Sequence, residues 1–170
     1  MIRLATASDL RRIFEVYAVA RQLMRQSGNP KQWGDHFPPE ELLRGDIPKK
    51  QLWVVERDGV IRAAFALVFG EDPSYGTIEG AWRKSEPYAT IHRLGSDGAG
   101  GIFAEVIAFC REKSPYLRID THHDNRVMQH IVEKHGFLES GVVYMHDDGT
   151  PRIASLPQAF WKTPSSMPTS

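Results

Sequence analysis

The sequence predicts a single α/β domain, a mixed central β-sheet with helices on both faces. Three observations carry that prediction. Strand-like and helix-like segments follow one another in the order β-α-α-β-β-β-loop-α-β-α-β-β, which calls for a sheet covered on both sides. Two apolar, β-branched runs flank Arg57-Asp58-Gly59, and an Asp-Gly turn between such runs is a strong hairpin signal. A strand over residues 88–94, a glycine-rich loop and a helix over 102–113 form a third unit.

Residues 2–5 read as a short first strand. Ser8 or Asp9 is placed to cap the next helix, whose Leu10, Ile13, Phe14 and Tyr17 recur at helical spacing. Gly28-Asn29-Pro30 stops it. An aromatic segment, 32–39, precedes a short helix at 40–44, and the hairpin of 52–56 with 60–69 follows. A loop and weak strand lead to the strand at 88–94. In the helix at 102–113, Phe103, Val106, Ile107 and Cys110 share one side. Residues 117–121 form another strand. Asp124 is placed to cap a helix carrying Met128, Ile131 and Val132, which Gly136 ends. Strands 137–145 and 152–156 close the chain around Asp147-Asp148-Gly149. The domain is expected over 1–161, and 162–170, polar and proline-containing, as a disordered tail.

At 170 residues the chain suits one domain with one sizeable core. Lys plus Arg is 21 and Asp plus Glu is 21, so the formal net charge is zero. A broad electrostatic grip on nucleic acid or an anionic membrane is therefore not expected. Cys110 is the one cysteine, which rules out an internal disulfide and makes a reducing compartment the expectation. With no stretch of signal-peptide or membrane-spanning character, a soluble cytoplasmic protein is expected.

The loop Gly95-Ser96-Asp97-Gly98-Ala99-Gly100-Gly101 lies between a strand and a helix start. Glycines there let consecutive N–H groups face one point, and the helix start adds a positive dipole end, which suits a pyrophosphate. A tight connection that binds nothing reads equally well from the loop alone. A second unit, RIDTHHDNRVMQHIVEKHGF, runs from Arg118 to Phe137. With this pair of units, strand–glycine loop–helix and then strand–helix opening at Asn125 and ending in Gly136-Phe137, the sequence resembles the GNAT (Gcn5-related N-acetyltransferase) superfamily over roughly residues 2–158.

The resemblance implies a splayed strand pair, 88–94 and 117–121, with the pantetheine arm of acetyl-CoA in the gap. It implies contacts at Leu94, Gly95 and Ser96, the pyrophosphate on Gly98, Ala99, Gly100, Gly101 and Ile102, and Asn125 with Met128 beside the arm. It also implies an acceptor pocket near Trp33, His36 and Phe37, and direct attack of an amine on the thioester. The sequence departs from the family in two places. No Arg or Lys stands between Gly95 and Gly101, and Val132 occupies the position where members often carry a tyrosine that protonates the leaving thiolate.

For the base, side-chain alternation puts Tyr88, Thr90, His92 and Leu94 on one face. His92 is the candidate because an imidazole titrates near neutrality. Tyr88 is the candidate acid, though water can serve because a thiol leaves readily. His122, on one face with Arg118 and Asp120, is the second candidate base or else a member of a structural polar network.

No metal is expected: His130 and His135 are five apart, and neither HExxH nor a cysteine partner occurs. There is no GxSxG, and Cys110 lies on an apolar helix face. The expected function is acetyl transfer from acetyl-CoA to a primary amine, a small molecule, with a protein N-terminus or lysine left open as acceptor and no nucleic-acid or membrane partner; a homodimer is allowed. The rivals are an inactive GNAT-like CoA- or ligand-binding module and a metal-dependent hydrolase.

Overall fold

A computed structural model describes residues 1–70, 78–80, 87–145 and 151–157. The elements are β1 Ile2–Leu4, a 3₁₀ turn Ala7–Asp9, α1 Leu10–Gln26, α2 Glu40–Asp46, β2 Leu52–Arg57, β3 Val60–Phe69, β4 Ile78–Gly80, β5 Ala89–Ser96, α3 Ile102–Lys113, β6 Leu117–Thr121, α4 Arg126–Lys134, β7 Phe137–Tyr144 and β8 Pro151–Pro157. The strands form one open, mixed eight-stranded sheet in the order β1-β2-β3-β5-β6-β8-β7-β4. Its neighbours pair antiparallel except β5 with β6, which run parallel. The expected element order holds with one strand added, the weak strand after the hairpin being β4 Ile78–Gly80. The turn at Asp147-Asp148-Gly149, most of the connection between β3 and β5, and the expected tail at 162–170 lie outside the described residues.

Alternation along the strands sorts two apolar layers. Leu52 and Val54 of β2 join Leu10, Ile13, Val16 and Tyr17 on the α1–α2 face. Trp53 and Val55 turn to the opposite face, with Phe103, Val106 and Ile107 of α3 and Val132 of α4. Fully burying a side chain such as Ile13 or Val16 contributes roughly 1.5–3 kcal/mol.

The helix starts differ from expectation in detail. Asp9, one of the two expected caps, is the N-cap position of α1, but its side chain makes no bond forward into that helix. Thr6 opens the 3₁₀ turn, and the Asp9 carboxylate reaches back to accept its N–H at 2.8 Å. Arg3 holds that same carboxylate at 2.8 and 3.0 Å. At α4 the cap is Asn125, not Asp124: Asn125 Oδ1 accepts from the Met128 N–H at 3.1 Å.

Candidate functional site

Beta strands 5 and 6 pair only at Ala89–Leu117 and Thr90–Arg118. Beyond that, residues 92–96 stay with β3 while Ile119, Asp120 and Thr121 pair with β8. The two strands thus fork, with a gap past Thr90. His92 is half-buried and is the second residue past the last paired position.

A bulge sits next to it. His92 faces Ala66 and Gly95 faces Ala64, so Arg93 and Leu94 together oppose the single residue Phe65. Arg93 has φ 53°, a conformation a non-glycine residue seldom adopts. The bulge breaks the alternation assumed from sequence. Leu94 packs with the α3–α4 layer, alongside Ile91, whereas Arg93 reaches Asp46 of α2 at 2.7 Å. Leu94 therefore does not share a face with His92. Gly95 returns to the α1 side, where an added Cβ would stand 2.8 Å from the Tyr17 ring and 3.3 Å from Ala20 Cβ. Its glycine is required by the close approach of α1.

The loop after β5 has a definite register. The Gly98 N–H goes to Ser96 Oγ at 3.3 Å and the Ala99 N–H to Asp97 Oδ1 at 3.2 Å. Among the described residues the N–H groups of residues 100–104 meet no acceptor; the first amide of α3 that does is Glu105, to Gly101 O at 3.2 Å. Gly101, at φ 72°, sits in the left-handed region that lets the chain turn into the helix. Five consecutive amides without an acceptor among the described residues, at a helix start, have the nest geometry that suits an anion; they begin two residues into the expected span from Gly98 to Ile102.

Cations come from elsewhere in the chain. Arg57, at the end of β2, donates to Gly100 O at 2.8 Å and to Glu105 at 2.9 Å. Arg12 and Arg62 meet on the Asp97 carboxylate at 3.2 and 2.7 Å.

On the other arm of the fork, His122 is 7% exposed. Burial first, then the nearby Arg152, lowers its pKa, favouring the neutral ring. Its Nδ1 accepts the Asp124 backbone N–H at 3.0 Å, so the neutral ring carries its proton on Nε2 and is a donor there. That geometry makes His122 a poor proton acceptor. His123 stacks on it at 4.6 Å, and His122, His123 and Asp124 offer ligand-capable atoms within 4.8 Å of one another. A cation would have to displace the Asp124 N–H to use His122 Nδ1.

Tyr88 precedes the paired residues, at the closed end of the fork. The Arg118 guanidinium lies 3.8 Å from its ring centroid, and Tyr116 meets it edge-on at 6.2 Å. Arg118 also directs Nε to Tyr116 Oη at 3.3 Å. At about 3.3 Å per residue, Tyr88 is roughly 13 Å along the strand from His92. Val132 is 4% exposed and belongs to the core. Met128 spends its N–H on the Asn125 cap and half-buries its side chain against that layer. Burial pushes the Cys110 thiol up to about 12, leaving it inert.

The aromatic segment divides. Trp33 meets Tyr17 edge-on at 5.6 Å and Phe37 at 6.1 Å, anchoring the chain on the α1 core. His36 is exposed and borders a cleft of about 220 Å³ with Phe14, Arg21, Asp35, Pro38 and Glu40.

No protein-family model and no curated protein matches the sequence. Solved structures do. A GNAT-family acetyltransferase from Streptococcus agalactiae matches at TM-score 0.83 and 29% identity, covering 92% of this chain and 94% of that one. The chain has the GNAT fold. A GNAT-family acetyltransferase from Listeria monocytogenes matches at TM-score 0.66 and 15% identity, over 92% and 94%. A ribosomal-protein-alanine N-acetyltransferase from Brucella melitensis matches at TM-score 0.58 and 18% identity, over 92% and 98%.

Within this GNAT domain the structure adds residues that the sequence did not single out. Arg57 reaches the glycine loop across 43 positions. Gln32 accepts a hydrogen bond from Asn125 across 93. Contacts at such separations leave no local sequence signal.

Proposed function

We propose that this GNAT-fold protein is an N-acetyltransferase that moves an acetyl group from acetyl-CoA to a small primary amine by direct attack. The observation that carries the reading is the fork of β5 and β6 leading into five amides, at the start of α3, that meet no acceptor among the described residues. The nest takes the pyrophosphate, with Arg57 supplying the positive charge that the loop itself lacks. The pantetheine arm runs along the open part of β5 past Leu94 and Ser96, bonding to backbone as an added strand would.

That path brings the thioester to the bulge. His92 takes a proton from the amine, directly or through a water. The amine nitrogen then bonds to the thioester carbon, the C–S bond breaks, and CoA leaves as the thiolate. Water protonates that thiolate, because Tyr88 lies at the closed end of the fork and Val132 is inside the core. No step passes through a metal.

The reading is tested by melting with acetyl-CoA, followed by measuring CoA release with an amine panel. A ligand at a hundredfold excess over its Kd adds about 2.7 kcal/mol of stability. A rise in Tm with amine-dependent CoA release supports the proposal, and no shift at millimolar acetyl-CoA removes it. Val132 at the tyrosine position favours one rival, a module that binds CoA without turnover. A melting shift with no CoA release for any amine would select it.

A further inference from the structure

Three side-chain amides meet between the segment after α1 and the start of α4, and their orientations are fixed in sequence. The Met128 N–H can only donate, so the atom of Asn125 facing it, at 3.1 Å, is the oxygen. The Asn125 NH₂ then faces Gln32, 2.9 Å away, and Gln32 must answer with Oε1. That oxygen's second acceptor position takes Asn29 Nδ2 at 2.8 Å. Asn29 is 1% exposed, its own N–H is tied to Met24 O at the end of α1 at 2.8 Å, and its Oδ1 has no partner among the described residues. An orphaned buried acceptor is unfavourable, so Asn29 does not set the orientation of this junction. The start of α4 does.

We infer that Gln32 is a positioning residue for acetyl-CoA, acting through Asn125. Its Oε1 holds one of the two Asn125 N–H groups, the helix end holds the Asn125 oxygen, and the second N–H remains for a carbonyl of the pantetheine arm. Through Asn29 the same oxygen ties the Trp33 segment, on the acceptor side, to the cofactor side. The inference rests on the acetyltransferase reading, in which Asn125 touches the arm.

The test compares Gln32→Leu, Gln32→Glu and Asn125→Ala by acetyl-CoA titration calorimetry and steady-state kinetics. Losing an oriented hydrogen bond should raise the acetyl-CoA Kd of Gln32→Leu roughly fivefold to tenfold, while kcat at saturating acetyl-CoA holds. Gln32→Glu keeps two acceptor positions and should restore wild-type affinity. In an Asn125→Ala background, Gln32→Leu should change nothing further. If Gln32→Leu lowers Tm but binds acetyl-CoA as the wild type does, or if the two losses add independently, the positioning role is overturned while the acetyltransferase reading stands. A wild type that binds no acetyl-CoA overturns both.

Discussion

The Tyr17 hydroxyl donates to the backbone oxygen of Arg93 at 2.8 Å, tying the middle of α1 to the bulge beside His92. Burial raises the Tyr17 pKa above its usual value, so it stays the protonated donor across the working range. The ring cannot retreat without breaking that bond, which is why Gly95 has no room for a Cβ.

Gly95→Ala should therefore cost about 1–3 kcal/mol, the usual range for overpacking against a fixed neighbour. The check is the urea midpoint. Tyr17→Leu removes both the ring and the hydroxyl, so the Gly95→Ala penalty should shrink in that background. An equal penalty in both backgrounds would mean that Tyr17 is not the obstacle.

Arg57 and Glu105 should act on CoA affinity with opposite signs. Arg57→Ala removes a cation beside the nest and should weaken CoA on the order of tenfold, the scale of a lost charged hydrogen bond. Glu105→Gln frees Arg57 from its carboxylate partner at 2.9 Å and should strengthen it. S-acetylpantetheine, which lacks the pyrophosphate, should bind both variants as it binds wild type. Calorimetry with the two ligands makes the comparison, and parallel losses for both would assign Arg57 a purely structural role.

Much of this was legible from local pattern, and the failures have physical causes. Strand, glycine loop and helix announce themselves by spacing, whereas the fork was implied only by the resemblance to the GNAT superfamily. The bulge left no trace: nothing in HRLG marks Arg93 as the residue at φ 53°, so strict alternation put Leu94 beside His92. Asp124 and Asn125 are both good caps, and only the Met128 N–H decides between them. Gly95 read as the first residue of the glycine loop and is a strand residue whose packing against Tyr17 requires glycine. The expectation of a loop without cations was true of 95–101 and misleading about the site, since Arg57 arrives from β2.

Stability should carry an acid limb from Asp9. Arg3, by its hydrogen bonds first, holds that carboxyl at about 2, below its ordinary 3.8. A folded pKa below the unfolded one means that the contribution is complete above about pH 4 and is lost as pH falls toward 2. At neutral pH, allowing for the partial exposure of Arg3, it is about 1–2 kcal/mol. Asp9→Asn should lower neutral-pH stability by that amount and remove its share of the slope between pH 4 and 2. Urea melts at pH 7, 4 and 2 check it, and an unchanged slope would mean the pair contributes nothing to folding.

His92 should carry the proton transfer, and its place beside the bulge is the reason. It lies just past the last paired position of the fork, on the strand that leads into the amide nest. The second candidate, His122, has its Nδ1 occupied by the Asp124 N–H, which leaves Nε2 as a donor. His92→Ala should lower kcat by roughly 10²–10⁴-fold while acetyl-CoA affinity holds, because general-base catalysis is lost and the proposed pantetheine path runs along backbone. A base works only when neutral, so wild-type kcat/KM should rise with pH to a plateau, and the variant should lose that limb while keeping any that belongs to the amine. His122→Ala, by contrast, should retain the limb. If it abolishes the limb and His92→Ala does not, the proton is taken on the β6 side of the fork and the tautomer argument fails with it.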